Sequence, residues 1–199
     1  MNAVREGWQV QPDIPAALAM PLQELMARLL GAARERSIRQ LMLVGAASRV
    51  GTSTIAGHWS ALLAAAFGNV LLIEVKAGAA DGFSHAGPPA ELVRQRAVTR
   101  ITMPESVCLA LMGTGQLPAE WLEAYGLVIW DVPPLAVSPA AMVLARHADA
   151  TVLVTQAHRT RRQVARHSVL RLQESGGRLL GVVLNRTPSF IPDWLYRLL

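Results

Sequence analysis

One ten-residue stretch has the makings of a ligand-gripping loop. It runs Gly45-Ala46-Ala47-Ser48-Arg49-Val50-Gly51-Thr52-Ser53-Thr54, with an apolar run before it and a helical pattern after it. A strand, a glycine-containing loop and a helix are the setting in which backbone N–H groups wrap phosphate oxygens. A fully equipped loop of this kind reads G-x-x-x-x-G-K-[ST], where lysine neutralises the phosphates and the hydroxyl holds magnesium. Gly51 and Ser53 fit. Thr52 stands where the lysine belongs, Ala46 takes the place of the first glycine, and Gly45 falls one residue early. On pattern alone, an ordinary strand-to-helix turn accounts for the segment equally well.

Charge at two other apolar runs adds weight to the phosphate reading. Leu71-Leu72-Ile73 leads into Glu74-Val75-Lys76, and Leu127-Val128-Ile129-Trp130 leads into Asp131-Val132-Pro133-Pro134. An aspartate at the end of a buried strand is the usual source of a magnesium-directing carboxylate in phosphoryl-transfer sites. Asp131 and Glu74 are therefore the vestigial catalytic candidates, with Ser53 and Asp131 as the matching metal ligands. Other chemistries find little support. His58, His85, His147, His158 and His167 show no metal-ligand spacing with carboxylates. Neither Ser48 nor Ser53 sits in the G-x-S-x-G elbow of a hydrolase. The single cysteine, Cys108, excludes an intrachain disulfide and a multi-cysteine metal site, which suits a reducing compartment.

The elements that must carry these residues follow from hydrophobic patterning. With 199 residues, 52% of them hydrophobic, the chain suits one domain with a full core. The spacing predicts an N-terminal arm over 1–20, a nucleotide-hydrolase-like domain over 21–187, and an apolar tail or short helix over 188–199. Pro21 suits the first turn of a helix through Leu22, Leu25, Met26, Leu29 and Leu30. Buried-strand runs are expected at Leu41–Val44, Val70–Ile73, Val107–Leu111, Leu127–Trp130, Thr151–Val154 and Leu179–Leu184. Helical stretches at Ser53–Phe67, Glu120–Tyr125 and Thr160–Glu174 lie between them. This alternation predicts an α/β fold, a mainly parallel sheet with helices on both faces and a ligand site beyond the strands' carboxyl ends.

Taken in order, these pieces resemble a known family. Tyr125-Gly126 through Asp131-Val132-Pro133-Pro134, Ala148-Asp149-Ala150-Thr151-Val152-Leu153-Val154 and Gly181-Val182-Val183-Leu184-Asn185-Arg186 are similar to segments of the bacterial tyrosine autokinases of exopolysaccharide and capsule synthesis. That family lies within the MinD/ParA-like P-loop ATPases, and the resemblance spans roughly 22–187. It implies ATP or ADP with Mg²⁺ as cofactors and a nucleotide site formed by Gly51, Thr52, Ser53, Thr54, Asp131, Asn185 and Arg186. Asn185 matches the position that meets the adenine base in relatives.

Several positions depart from the family pattern. The family's proline, glycine, glutamate and lysine are replaced by Ser48, Arg49, Val50 and Thr52, and its aspartate-x-aspartate by Glu74 and Lys76. Of the ring-forming glutamate-x-x-arginine-x-x-arginine pattern, Glu24 stands alone, followed by Ala27 and Leu30. One tyrosine, Tyr196, remains near the end. These departures weaken nucleotide binding or abolish it and point to lost hydrolysis, because phosphoryl transfer depends almost wholly on positioning and electrostatics.

The resulting expectation is a catalytically degenerate regulator or scaffold of bacterial exopolysaccharide synthesis or export, a pseudokinase. The alternatives are a weakly ATP-binding switch or tyrosine kinase of the same pathway, and a DNA-binding partitioning-type ATPase. The implied partners are a membrane-bound chain-length regulator or other polysaccharide-synthesis proteins, together with further copies of the chain in a homo-oligomer. The net charge of +5 comes mostly from arginine, Lys76 being the one lysine. Its densest stretch, His158 to Arg171, reads as the solvated face of an amphipathic helix, and the scarcity of aromatics there argues against single-stranded nucleic acid bound by stacking. No apolar run reaches the roughly 18 to 20 residues of a membrane span, so a cytoplasmic protein is expected, at the inner membrane only through a partner.

Overall fold

A computed structural model describes residues 16–78, 93–95, 97–113 and 117–187. Helix α1 (Ala16–Glu35) opens the described chain and is followed by β1 (Gln40–Gly45), α2 (Thr52–Phe67) and β2 (Val70–Lys76). Next come β3 (Val93–Gln95), β4 (Val98–Pro104), α3 (Glu105–Gly113), α4 (Ala119–Ala124) and β5 (Leu127–Val132). The chain continues through α5 (Ala140–Ala145), β6 (Ala150–Gln156), α6 (Arg162–Glu174) and β7 (Leu179–Asn185). The seven strands form one sheet in the order β3-β4-β2-β5-β1-β6-β7. Six run parallel, and the short β3 pairs antiparallel with β4. The fold is thus the α/β arrangement expected from the sequence.

Continuous apolar strands are explained by a sheet covered on both faces, where successive side chains enter different cores. Leu41 and Leu43 of β1 join Leu72, Ile129 and Val152 beneath α1 and α2, packing on Leu22, Leu25, Leu29, Ile55, Trp59 and Leu63. Met42 and Val44 point the other way, to Ile73, Trp130 and Leu153 with Cys108, Met112, Leu144 and Leu172. Cys108 is a buried core thiol whose pKa is pushed up to about 12, first by burial and then by Glu105.

Three expectations need correction. Val107–Leu111 is not a strand: it lies within α3. Five apolar residues fit either element, and the choice falls to helix because Pro104 closes β4 and Cys108 and Met112, four apart, form the buried stripe. The strand in that part of the sheet is β4, whose exposed Arg100 and Thr102 alternate with buried Ile101 and Met103. A half-exposed strand of this kind lacks a continuous apolar run. Finally, α1 starts at Ala16, so Pro21 lies inside it and residues 16–20 are helical rather than part of an arm. The buried series Leu18, Leu22, Leu25 and Leu29 carries the helix past the missing N–H. Residues 1–15 and the C-terminal segment 188–199 lie outside the described residues. No helix among the described residues is long and apolar enough to cross a membrane.

The strand that leads to the ligand-gripping loop is fixed at its start by Asp149, whose Oδ2 accepts from Arg39 N at 2.8 Å and Gln40 N at 2.9 Å. The Arg39 side chain donates to the carbonyls of Leu122 and Tyr125 and ties the same corner to α4. Asp149→Ala strands two backbone donors and is expected to lower unfolding free energy by about 1–3 kcal/mol. Urea denaturation should show this loss, with a smaller one for Asp149→Asn; no loss for either would remove Asp149 from this role.

Candidate functional site

The loop between β1 and α2 folds tightly onto itself. A Cβ added at Gly45 would lie 2.8 Å from Thr52 Oγ1 and 2.9 Å from the Ala47 carbonyl, so only glycine leaves room for this turn. Ala46 N donates to Val154 O at 2.8 Å, anchoring the loop on β6, and Val50 is buried. Gly51 then turns through φ 91° and caps α2 without a side-chain hydrogen bond, and Ile55 N donates to Gly51 O at 3.0 Å. The free N–H groups of the first helical turn are thereby left facing the site.

Asn185 holds this loop from below. Its Nδ2 donates to Val50 O at 2.8 Å and its Oδ1 accepts from Arg186 N at 2.8 Å. A Cβ on Gly51 would strike the Asn185 amide, so the glycine is required both for its φ and for this close approach. Asn185 is buried and is not part of the cleft lining, and its amide is engaged with the loop backbone. Its geometry is that of a latch between β7 and the loop.

The cleft at the carboxyl ends of the strands measures about 460 Å³. Of the site residues expected from sequence, Gly51, Thr52, Ser53, Thr54, Asp131 and Arg186 line it. Glu74 does not reach the lining. Arg49, Lys76, Pro133, Pro134 and Arg159 complete the walls, and Arg159 was missed as a site residue. It looks like part of the basic helix in sequence, yet α6 begins only at Arg162, leaving Arg159 on the loop after β6. The rule that ligands bind beyond strand carboxyl ends would have found it.

Parallel register sets the electrostatics. Glu74 of β2 and Asp131 of β5 are direct Cα partners, so their carboxylates leave adjacent strands side by side. Glu74 is neutralised by two cations: Lys76 Nζ lies 3.1 Å from Oε2 and Arg100 Nη1 lies 3.4 Å from Oε1. Lys76 thus takes an ion-pair role, with Glu74 as its partner. Asp131, 5% exposed, has its pKa raised to about 6. Burial is the main cause and Glu74 adds to it, against the hydrogen bond with Ser53 and the charges of Lys76 and Arg100.

Backbone strain gathers at the same place. Among the described residues, Arg49 (φ 61°), His158 (φ 58°) and Arg186 (φ 56°) are the non-glycine residues at positive φ. Two line the cleft and the third immediately precedes Arg159. Such conformations typically cost about 1–3 kcal/mol each and collect at functional sites. The positive φ at Arg49 also explains the family's glycine at that position.

No protein-family model matches the sequence. A tyrosine-protein kinase CpsD of Streptococcus agalactiae serotype Ia is 32% identical over 70 residues, which is 35% of this chain and 30% of the kinase. The match thus spans about a third of the length of such curated relatives. Among solved structures, the chimerical protein CapA2B2 aligns with a TM-score of 0.68 at 18% identity, covering 90% of this chain and 88% of that one. The BceF tyrosine kinase domain aligns at 0.66 and 20% identity, covering 86% and 82%. The kinase domain of the Escherichia coli tyrosine kinase ETK aligns at 0.62 and 21% identity, covering 96% and 88%. The resemblance to bacterial tyrosine autokinases therefore stands, and the fold is that of their P-loop kinase domains.

Asp131 gives a pH signature. Its folded pKa of about 6 lies above the usual 3.8, so the native state binds the proton more tightly than the unfolded chain does. Its contribution is most favourable below pH 3.8, declines as pH rises to about 6, and is fully lost above that. Asp131→Asn is expected to remove this decline and to be more stable than the parent at pH 8, by on the order of 3 kcal/mol at most. Urea unfolding of both proteins from pH 4 to 8 checks this; a stability difference that does not change with pH contradicts it.

Proposed function

We propose that the protein is a catalytically degenerate homologue of the bacterial tyrosine autokinases, acting as a regulator or scaffold in exopolysaccharide synthesis or export. The observation that carries this reading is the double ion pairing of Glu74 by Lys76 and Arg100. In an active site of this class, carboxylates at the strand ends direct a magnesium ion and a loop lysine meets the β- and γ-phosphates. Here Thr52 replaces the lysine, and both Glu74 oxygens are occupied by cations.

The donor set fits magnesium poorly. Mg²⁺ demands near-octahedral oxygen ligation through one or two carboxylates and several waters. Ser53 and Asp131 are the remaining donors, Asp131 is buried, and the Lys76 ammonium lines the same cleft. Among the described residues no group of three or more His, Cys, Asp or Glu side chains is placed to hold a metal ion. The retained loop, by contrast, keeps the shape needed to grip an anion. A nucleotide cleft that can be filled without turnover suits a switch that signals to a partner by occupancy, the partner here being a membrane-bound chain-length regulator or another polysaccharide-synthesis protein. The protein acts from the cytoplasm, at the inner membrane through that partner.

With ATP and magnesium, hydrolysis and tyrosine autophosphorylation of the purified protein are expected at background, and Asp131→Ala is expected to lower neither. Losing one transition-state-stabilising group typically costs about 10²–10³-fold in rate, and here both the lysine and the metal ligation are changed. A steady rate that Asp131→Ala abolishes would establish instead an active ATP-dependent tyrosine kinase or ATPase switch, with Arg49 or Lys76 doing the work of the lysine.

A further inference from the structure

The charges of the cleft divide along the sheet. Asp131 of its lining sits at the end of β5, and beside it on β2 Glu74, just outside the lining, is already engaged by Lys76 and Arg100. The remaining cations come from the other half: Arg49 from the loop after β1, Arg159 from the loop after β6, and Arg186 directly after β7. β1, β6 and β7 are consecutive neighbours in the sheet. Three adjacent strand ends therefore each contribute one arginine to the lining of the cleft.

Among the described residues these arginines have no carboxylate partner. The ion pairs among the described residues are those of Glu74 with Lys76 and Arg100, so none involves Arg49, Arg159 or Arg186. Nor is their placement an incidental outcome of relaxed backbone. Arg49 and Arg186 themselves adopt left-handed φ, and His158 does so beside Arg159. Glycine would hold each turn with less strain but would supply no guanidinium. Guanidinium groups match phosphate oxygens in bidentate geometry and stay charged at every working pH. A cleft of about 460 Å³ is in the range of small-molecule sites and is too large for a single phosphate.

We propose that this cleft binds a chain of phosphates through Arg49, Arg159 and Arg186 with no divalent metal, the arginines neutralising the charge that magnesium and the loop lysine share in catalytic relatives. The proposal rests on the reading of the cleft as a degenerate nucleotide site. Its ligand is a di- or triphosphate, from a nucleoside such as ADP or ATP or from inorganic polyphosphate. Magnesium opposes binding here, because it lowers the ligand's negative charge without finding its own ligands in the protein.

Isothermal titration calorimetry on the full chain tests this, with ADP, ATP and inorganic triphosphate each titrated in EDTA and in excess magnesium. Binding is expected in EDTA, with affinity several-fold weaker in magnesium. Arg159→Ala is expected to lose about 10-fold or more, in line with loss of a charge-assisted hydrogen bond, and Arg159→Lys to lose less. Because Arg159 is exposed on a loop, its removal leaves the core untouched, and circular dichroism confirms the fold. Tighter binding of ATP than of triphosphate assigns the nucleoside source; equal binding assigns phosphate recognition alone, and both support the proposal. Affinity that requires magnesium, absence of binding by all three ligands in EDTA, or binding indifferent to Arg159→Ala overturns it. Those outcomes leave the regulatory reading standing, whereas metal-dependent turnover would overturn that reading and the metal-free site with it.

Discussion

Two carboxylates held side by side at the end of a buried parallel pair are the constraint around which the rest of the site is organised. The register that pairs Glu74 with Asp131 is set by the hydrophobic strands beneath them, so the two cannot move apart without disturbing the core. Like charges in such a place must be neutralised by a metal, by cations or by protons. Here cations do so: Lys76 and Arg100 meet Glu74, while burial raises the pKa of the neighbouring Asp131 to about 6. Lys76 follows two residues after Glu74 on the same face of β2, so a single charge reversal at that position supplies the counter-ion.

Shape and charge in the cleft are controlled by different parts of the molecule. The loop's shape comes from Gly45 and Gly51, from Val50 in the core, from the bond to Val154 and from the Asn185 latch. The Gly51 turn, the bond to Val154 and the Asn185 latch do not depend on the side chain at Thr52 or on the sign of charge at Lys76. The backbone of the loop is therefore able to keep its course whichever side chain stands at Thr52 and whichever charge at Lys76. A buried amide that satisfies two backbone groups is itself costly to remove, which ties the last strand of the sheet to the loop following the first.

Much of this was legible in the sequence, and the reasons differ by element. The strands at Leu41–Val44, Val70–Ile73, Leu127–Trp130 and Thr151–Val154 are apolar on both sides because both sheet faces are covered, so their runs stand out. β4 did not stand out because exposed Arg100 and Thr102 interrupt it, and α3 was mistaken for a strand because five apolar residues carry no period of their own. In the site, Gly51, Ser53 and Asp131 were recognisable because residue type and position within a strand-loop-helix unit determine their place. Arg159 was not, since an arginine in a basic run is indistinguishable from a solvated helix face until the start of α6 is known. The latch role of Asn185 depends on contact across 135 positions, which no local pattern encodes.

The strained arginines bear on the degeneracy proposed for this site. A loop that had merely ceased to function would be free to relax, and a glycine at position 49 would relieve the left-handed strain while keeping the turn. Instead the chain places its longest cationic side chain at that position and another at Arg186, both on the lining of the same cleft. Glu74 is meanwhile paired with Lys76 and Arg100, so among the described residues the exposed Arg49, Arg159 and Arg186 leave a positive wall on the cleft. Such a wall is destabilised by self-repulsion unless an anion is present, and an anion that binds only the folded state stabilises it in proportion to its occupancy. The same substitutions that argue against phosphoryl transfer thus leave a site whose energetics favour a bound polyanion, and a protein whose stability reports on whether that anion is there.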